Sequence, residues 1–196
     1  MGKEKFYLRY IDKMAKEISK NTIIPYEDLP QYDLFLSQVI DYLRDKFKEE
    51  KYTNNIVQNY IKNEVISKPE EGKKRGYTKL HLVQLVLVSY MRPILTTDEI
   101  TKVFNLAFNH INDRSDDIIS WEKAYKVFSD IEKRSLENFL DNNHFTEEKF
   151  SEIIQDINLK EEDKERIMVF LIVMTLIAEA SIIKKLVQKI VDEYQD

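Results

Sequence analysis

The sequence predicts an all-α protein, and three observations carry that expectation. Glycine and proline are scarce, with three Gly and four Pro in 196 residues, so the chain has few places to turn and must be built from long elements. Apolar residues recur at helical spacing along nearly its whole length. Alternating β-branched patterns are almost missing, and the only β-like material is a short wing hairpin around 67–78. Apolar residues make up 43% and charged residues 33%, enough core material for one large domain or two small ones. A polar, acidic stretch at 110–119 is the best boundary. It predicts a first domain over 1–109 and a second, helical domain over 110–196.

In chain order, the first helix is expected over 5–20, with Phe6, Ile11, Met14, Ala15 and Ile18 at helical spacing. Pro25 and Pro30 punctuate the loop that follows. A second helix over 34–48 turns Leu36, Val39, Ile40, Leu43 and Phe47 inward and is expected to pack behind its successor. That successor is short. Thr53 is its expected N-cap, since a hydroxyl there can accept a bond from an early orphan N–H. Ile56/Tyr60 and Val57/Ile61 form its apolar stripe, while Asn55, Gln58, Asn59 and Lys62 share the opposite face. Amides can make bidentate contacts to adenine edges in the major groove, and a lysine can reach guanine or phosphate.

Pro69 then discourages helix at Lys68, and Gly72 and Gly76 bracket Lys73, Lys74 and Arg75. Glycines permit close backbone approach, and three adjacent cations suit a phosphate backbone. Residues 51–80 hold seven Lys/Arg against three Asp/Glu, a local +4; the whole chain is −5, so the remainder carries −9. Charge this uneven points to a nucleic-acid face, although a solvated loop has the same composition.

Residues 53–69, with Gly76-Tyr77-Thr78 beyond them, resemble the helix-turn-helix and wing of MerR-type regulators. Those proteins carry a Ser/Thr-capped recognition helix ending in Tyr, an exit of Gly-Leu-Leu-x-Pro type and a Gly-Tyr wing. A closer resemblance is to a bacterial family catalogued as domain of unknown function 1836, itself described as MerR-like. Its features stand here as Asp28-Leu29-Pro30, Gln38-Val39, Thr53 with Asn59-Tyr60-Ile61-Lys62, Lys73-Lys74, Tyr77-Thr78, His81, and 95–100. The similarity covers roughly 25–105 and weakens in the C-terminal helices. Two departures from the MerR pattern bear on the site. Gln58-Asn59 replace its usual Arg-Tyr pair, and Glu64 stands where a Gly normally ends the helix. The resemblance implies a MerR-like winged helix-turn-helix in the first half, and dimerisation through a C-terminal helix in the second.

Beyond the wing, Thr78 is expected to cap a strongly apolar helix from 80 to about 91, buried on more than one face. His81 in its first turn reads as a hydrogen-bonded packing residue, because no second metal ligand stands at i+3 or i+4. Thr96 and Glu99 form a capping box for a helix to about 109. Asp113, Asp116 and Asp117 lack calcium-loop spacing, so 110–119 reads as a solvated linker. Trp121, Tyr125, Phe128, Ile131, Leu136, Phe139 and Leu140 give the helix over 120–142 an aromatic core stripe. A short helix over 146–157 and a long terminal one over 160–194 complete the chain. The apolar run at 167–183 is shorter than the roughly 20 residues of a membrane span and is interrupted by Glu179 and Ser181. It reads as a helix buried all round, inside the second half or at a dimer interface.

Several function classes recede. There is no Cys, which excludes disulfides, thiolate metal sites and a Cys nucleophile. Met1-Gly2-Lys3-Glu4-Lys5-Phe6 has neither the apolar core of a signal peptide nor a myristoylation motif, so a cytoplasmic protein is expected. No nucleophile–base pair, metal-ligand spacing or Walker-type loop stands out, so neither an enzyme nor a cofactor or metal site is expected. The leading expectation is a transcriptional regulator that binds double-stranded DNA as a homodimer. Contacts are expected from Thr53, Asn54, Asn55, Gln58, Asn59 and Lys62 on the helix, and from Lys73, Lys74, Arg75 and Tyr77 on the wing. The alternative is a protein–protein interaction module on the same helix-turn-helix shell. A sensor of a small-molecule effector rests only on the aromatic second half.

Overall fold

The computed structural model describes residues 23–48, 50–69, 72, 76–141, 167–169, 172, 176, 179–180, 183–184 and 186–192. The helices expected over 5–20 and 146–157 lie outside these residues. The described elements are helical: α1 Leu36–Lys46, α2 Asn54–Lys62, α3 Lys79–Met91, α4 Thr97–Asn105 and α5 Trp121–Asp141, with 3₁₀ turns at Tyr26–Asp28 and Arg114–Asp116. Among the described residues there is no strand, only two isolated antiparallel bridges, Leu34 with Tyr77 and His110 with Asp113. The all-α class holds. Every described position between 167 and 192 is helical.

Two compact units divide the chain: residues 24–129 with 186–196, and residues 1–23 with 130–185. In the first, α3 is the hub. Every residue from His81 to Ser89 is buried, as its strongly apolar composition predicts, the polar His81, Gln84 and Ser89 included. The Tyr90 ring on α3 meets Phe47 edge-on at 5.8 Å and Phe128 of α5 at 5.1 Å. α1 buries Val39, Ile40 and Leu43 and packs against α2. It starts at Leu36 rather than 34 because Leu34 and Tyr77 exchange backbone hydrogen bonds of 2.8 and 3.2 Å, which hold Leu34 extended.

The Thr96 capping box forms as expected: Glu99 Oε2 accepts from the Thr96 N–H at 2.7 Å, and Thr96 Oγ1 accepts from the Glu99 N–H at 3.3 Å. α4 ends at Asn105, short of 109, because the chain turns to lay Phe108 flat on Trp121, centroids 3.5 Å apart. Phe104 meets the same indole edge-on at 5.0 Å. Residues 186–192 belong to this unit, where Lys102 pairs with Asp192 at 3.2 Å and Gln188 Nε2 donates to Glu99 Oε1 at 3.0 Å.

The stretch 110–119, expected as a solvated linker, lies inside the 24–129 unit as a hydrogen-bonded loop. Asp113 Oδ1 accepts from the Ser115 N–H at 2.9 Å, His110 bonds Asp116, and Asn109 Nδ2 donates to the Asp116 carbonyl at 2.6 Å. Asp, Asn and Ser fold such loops because their short side chains bond the nearby backbone. In the second unit, Met168 and Ile172 are buried while Val169 is exposed, so at these positions the apolar run is covered on one face rather than all round. Ile131 of α5, expected inward, is exposed.

Candidate nucleic-acid interface

α2 begins where the sequence predicts. Thr53 is extended, and its Oγ1 accepts from the Ile56 N–H at 3.3 Å. Val57 and Tyr60 are buried toward the core, and Asn54, Asn55, Gln58, Asn59 and Lys62 are all exposed. The polar stripe is thus a surface stripe, with amide donors and acceptors and one cation set along nine residues. Two of its amides already have partners. Asn59 Oδ1 accepts from Asn63 Nδ2 at 3.2 Å, and Gln58 Nε2 donates to the Tyr77 hydroxyl at 3.2 Å.

Beyond the C-cap Asn63, Glu64 takes up left-handed backbone with φ 55°. The Val65 N–H reaches the Tyr60 carbonyl at 2.8 Å, and the Glu64 N–H reaches that of Ile61 at 3.1 Å. Together they form a Schellman motif, with buried Val65 as its apolar closure. The turn therefore closes with Glu in the position that favours glycine.

Three polar side chains buried within α3 hold the segment that carries α2. Ser89 Oγ pairs with the hydroxyl of fully buried Tyr52 at the entry to α2. Gln84 Oε1 accepts from the Ser67 N–H at 3.0 Å and from Ser67 Oγ at 2.8 Å beyond its exit. His81 Nδ1 accepts from the Thr78 N–H at 3.0 Å, just after the Leu34–Tyr77 bridge. Buried polar groups are most stable when bonded, so the Gln84 and His81 tethers fix the backbone at Ser67 and Thr78 against α3, and the Ser89 tether fixes the Tyr52 side chain. The entry is reinforced from outside α3. Arg44 Nε donates to the Tyr52 carbonyl at 2.8 Å, and Arg92 lies 4.9 Å over the Tyr52 ring while pairing with Glu50 at 3.2 Å. Burial pushes the Tyr52 hydroxyl above its ordinary range.

Sequence reasoning found His81 but missed Gln84, Ser89, Tyr52, Arg44 and Arg92 as supports. For Gln84 and Ser89 the available signal was their polarity inside an otherwise largely apolar helix; Tyr52, Arg44 and Arg92, outside α3, had no such signal.

Tyr77, grouped with the contacting residues on sequence grounds, is only 5% exposed. Its ring sits edge-on to His81 at 5.5 Å, and burial raises its hydroxyl pKa against the lowering effect of the Gln58 bond. Lys73, Lys74 and Arg75 lie outside the described residues. Of their flanks, Gly72 has φ 79° and Gly76 is buried. Nearby cations are partly engaged: Lys68 pairs with Glu64 at 3.7 Å, and Lys79 lies 3.7 Å over the Tyr26 ring. Among the described residues no helix is long and apolar enough to cross a membrane, and no three acidic, His or Cys side chains are grouped to hold a metal.

A family model described as "Domain of unknown function (DUF1836)" matches residues 24–128, nearly the whole continuous part of the unit that carries α2. The chain is also similar to "Uncharacterized protein YkrK" of Bacillus subtilis (strain 168), 31% identical over 93 residues. That alignment covers 46% of this chain and 39% of the relative, so the chain spans about two fifths of the relative's length. No solved structure matches.

Proposed function

The chain belongs to the DUF1836 family, whose description names no activity, and we propose that it is a MerR-like transcriptional regulator that binds duplex DNA. What supports this reading is the exposed amide face of α2, followed in the sequence by a Gly-bounded basic run. Asn54, Asn55, Gln58 and Asn59 offer paired donors and acceptors of the kind that read adenine edges, and Lys62 offers a cation for guanine or phosphate. Lys73, Lys74 and Arg75 neutralise the backbone and supply affinity without sequence information. Thr53 starts the helix so that its first turn meets the groove. Two copies bind together, one per half-site.

Selection of random duplex DNA by the purified protein at near-physiological salt tests this reading. Enrichment of a common short sequence, weakening steeply as salt rises, is the expected result. Failure to retain any duplex overturns it. A partner captured by an interface indifferent to salt supports the protein-interaction alternative instead.

A further inference from the structure

We propose that Tyr77 is a positioning residue that turns the Gln58 amide to read an adenine, and so sets base preference without itself touching DNA. The proposal rests on the DNA-binding reading above. Gln58 is exposed and carries a long, rotatable side chain, which would present its amide in many orientations if nothing held it. Its Nε2 is held, 3.2 Å from the Tyr77 hydroxyl.

That hydroxyl is a fixed point. Tyr77 is bridged through its backbone to Leu34, its ring lies against His81, and His81 in turn accepts from the Thr78 N–H. The wing base and α3 therefore determine where the hydroxyl sits, and α2 leans on it. With 5% of its surface exposed, Tyr77 cannot present its ring to a duplex.

The count of hydrogen-bonding groups gives the specificity. A glutamine amide has two N–H donors and one carbonyl acceptor. One N–H is committed to Tyr77, which leaves one donor and one acceptor. That is the pair that adenine N7 and N6–H require, whereas guanine O6 and N7 both require donors. An amide released from Tyr77 turns freely and can present both N–H groups, which suits guanine. Tyr77 is thus expected to favour adenine over guanine at the one base pair that Gln58 meets.

Tyr77→Phe in the full chain tests this, since it removes only the hydroxyl and keeps the ring and the backbone bridge. Gln58→Ala first identifies the base pair concerned, as the position where the selected duplex loses its preference. At that position Tyr77→Phe should cut the adenine-over-guanine preference by about threefold to tenfold. Affinity for unrelated duplex and the salt slope should stay unchanged, which a merely structural defect would not allow. In the Gln58→Ala background, Tyr77→Phe should have no further effect on preference.

A preference that Gln58→Ala abolishes and Tyr77→Phe preserves overturns the positioning role while leaving DNA reading by Gln58 intact. If Gln58→Ala changes preference nowhere, Tyr77 has nothing to position and the proposal fails, although DNA binding stands. If the wild-type protein retains no duplex, both readings fail together. Should Tyr77→Phe not fold, the side-chain amide signals of Gln58 in the wild-type protein decide. One of its two N–H protons exchanging with solvent clearly more slowly than those of other exposed amides supports the proposal, and both exchanging as fast as those overturn it.

Discussion

At the scale of single residues, the end of α2 holds a position under strain. Left-handed backbone costs a residue with a side chain roughly 1–2 kcal/mol, and Glu64 adopts it to close the Schellman motif. Glu64→Gly should therefore stabilise the unit by about 1 kcal/mol, partly offset by the greater freedom of glycine in the unfolded chain. The lost ion pair with Lys68 should matter little, because both side chains are exposed. A rise in the urea midpoint with an unchanged slope is the expected result; a fall would refute the strain. His110 gives a second prediction. The hydrogen bond and the charge of Asp116 raise its pKa above the ordinary 6.5. A raised folded-state value means that the pair's contribution is fully present below the unfolded pKa and is lost as pH rises through the folded one. Asp116→Asn should return the His110 titration, followed by its ring-proton resonances, close to the ordinary value. An unchanged titration would exclude Asp116 as the cause.

At the scale of elements, the helices were legible and their tethers were not. The Thr96–Glu99 box, the Thr53 cap and the strongly apolar character of α3 are local patterns, and each helix begins where its pattern stands. The start of α1 shifted because a bridge to Tyr77, far along the chain, overrode the local period. The polar face of α2 was legible for the same local reason. Its supports were not, since Tyr52 and Ser89 stand 37 residues apart and Ser67 and Gln84 stand 17 apart. The loop at 110–119 is largely exposed, as its polar composition predicts, but composition does not report closure: Asn112 Oδ1 accepts from the Lys68 N–H, 44 residues away, at 2.9 Å. The basic run at 73–75 carries the prediction at this scale. Changing Lys73, Lys74 and Arg75 together to Ala should weaken binding to every duplex alike. It should also flatten the dependence of log affinity on log salt by about two to three units per protomer. An unchanged slope would refute a phosphate-binding wing.

At the scale of the whole molecule, the proposed DNA reading calls for two copies. Nine residues of helix extend only about 13 Å and can read only a few base pairs. Useful specificity from so short a reader comes from a two-fold axis that sets two readers on half-sites. Residues 186–192 offer a surface for that axis. Lys102–Asp192 and Gln188–Glu99 hold this stretch against α4, and Val191 is buried. One turn apart on the same stretch, Leu186 and Ile190 remain 56% and 51% exposed. In a two-fold dimer the same apolar patch meets its own copy, which removes both from water. Because Leu186 and Ile190 are exposed, changing both to Glu should spare the fold and weaken self-association by about tenfold or more, through unpaired charge at an apolar contact. Mass in solution, followed from micromolar to nanomolar concentration, is the measurement. The wild-type chain should pass from twice 23.5 kDa toward 23.5 kDa on dilution, and the double variant should do so at higher concentration. A single species near 23.5 kDa throughout would rule out a dimer of the free protein.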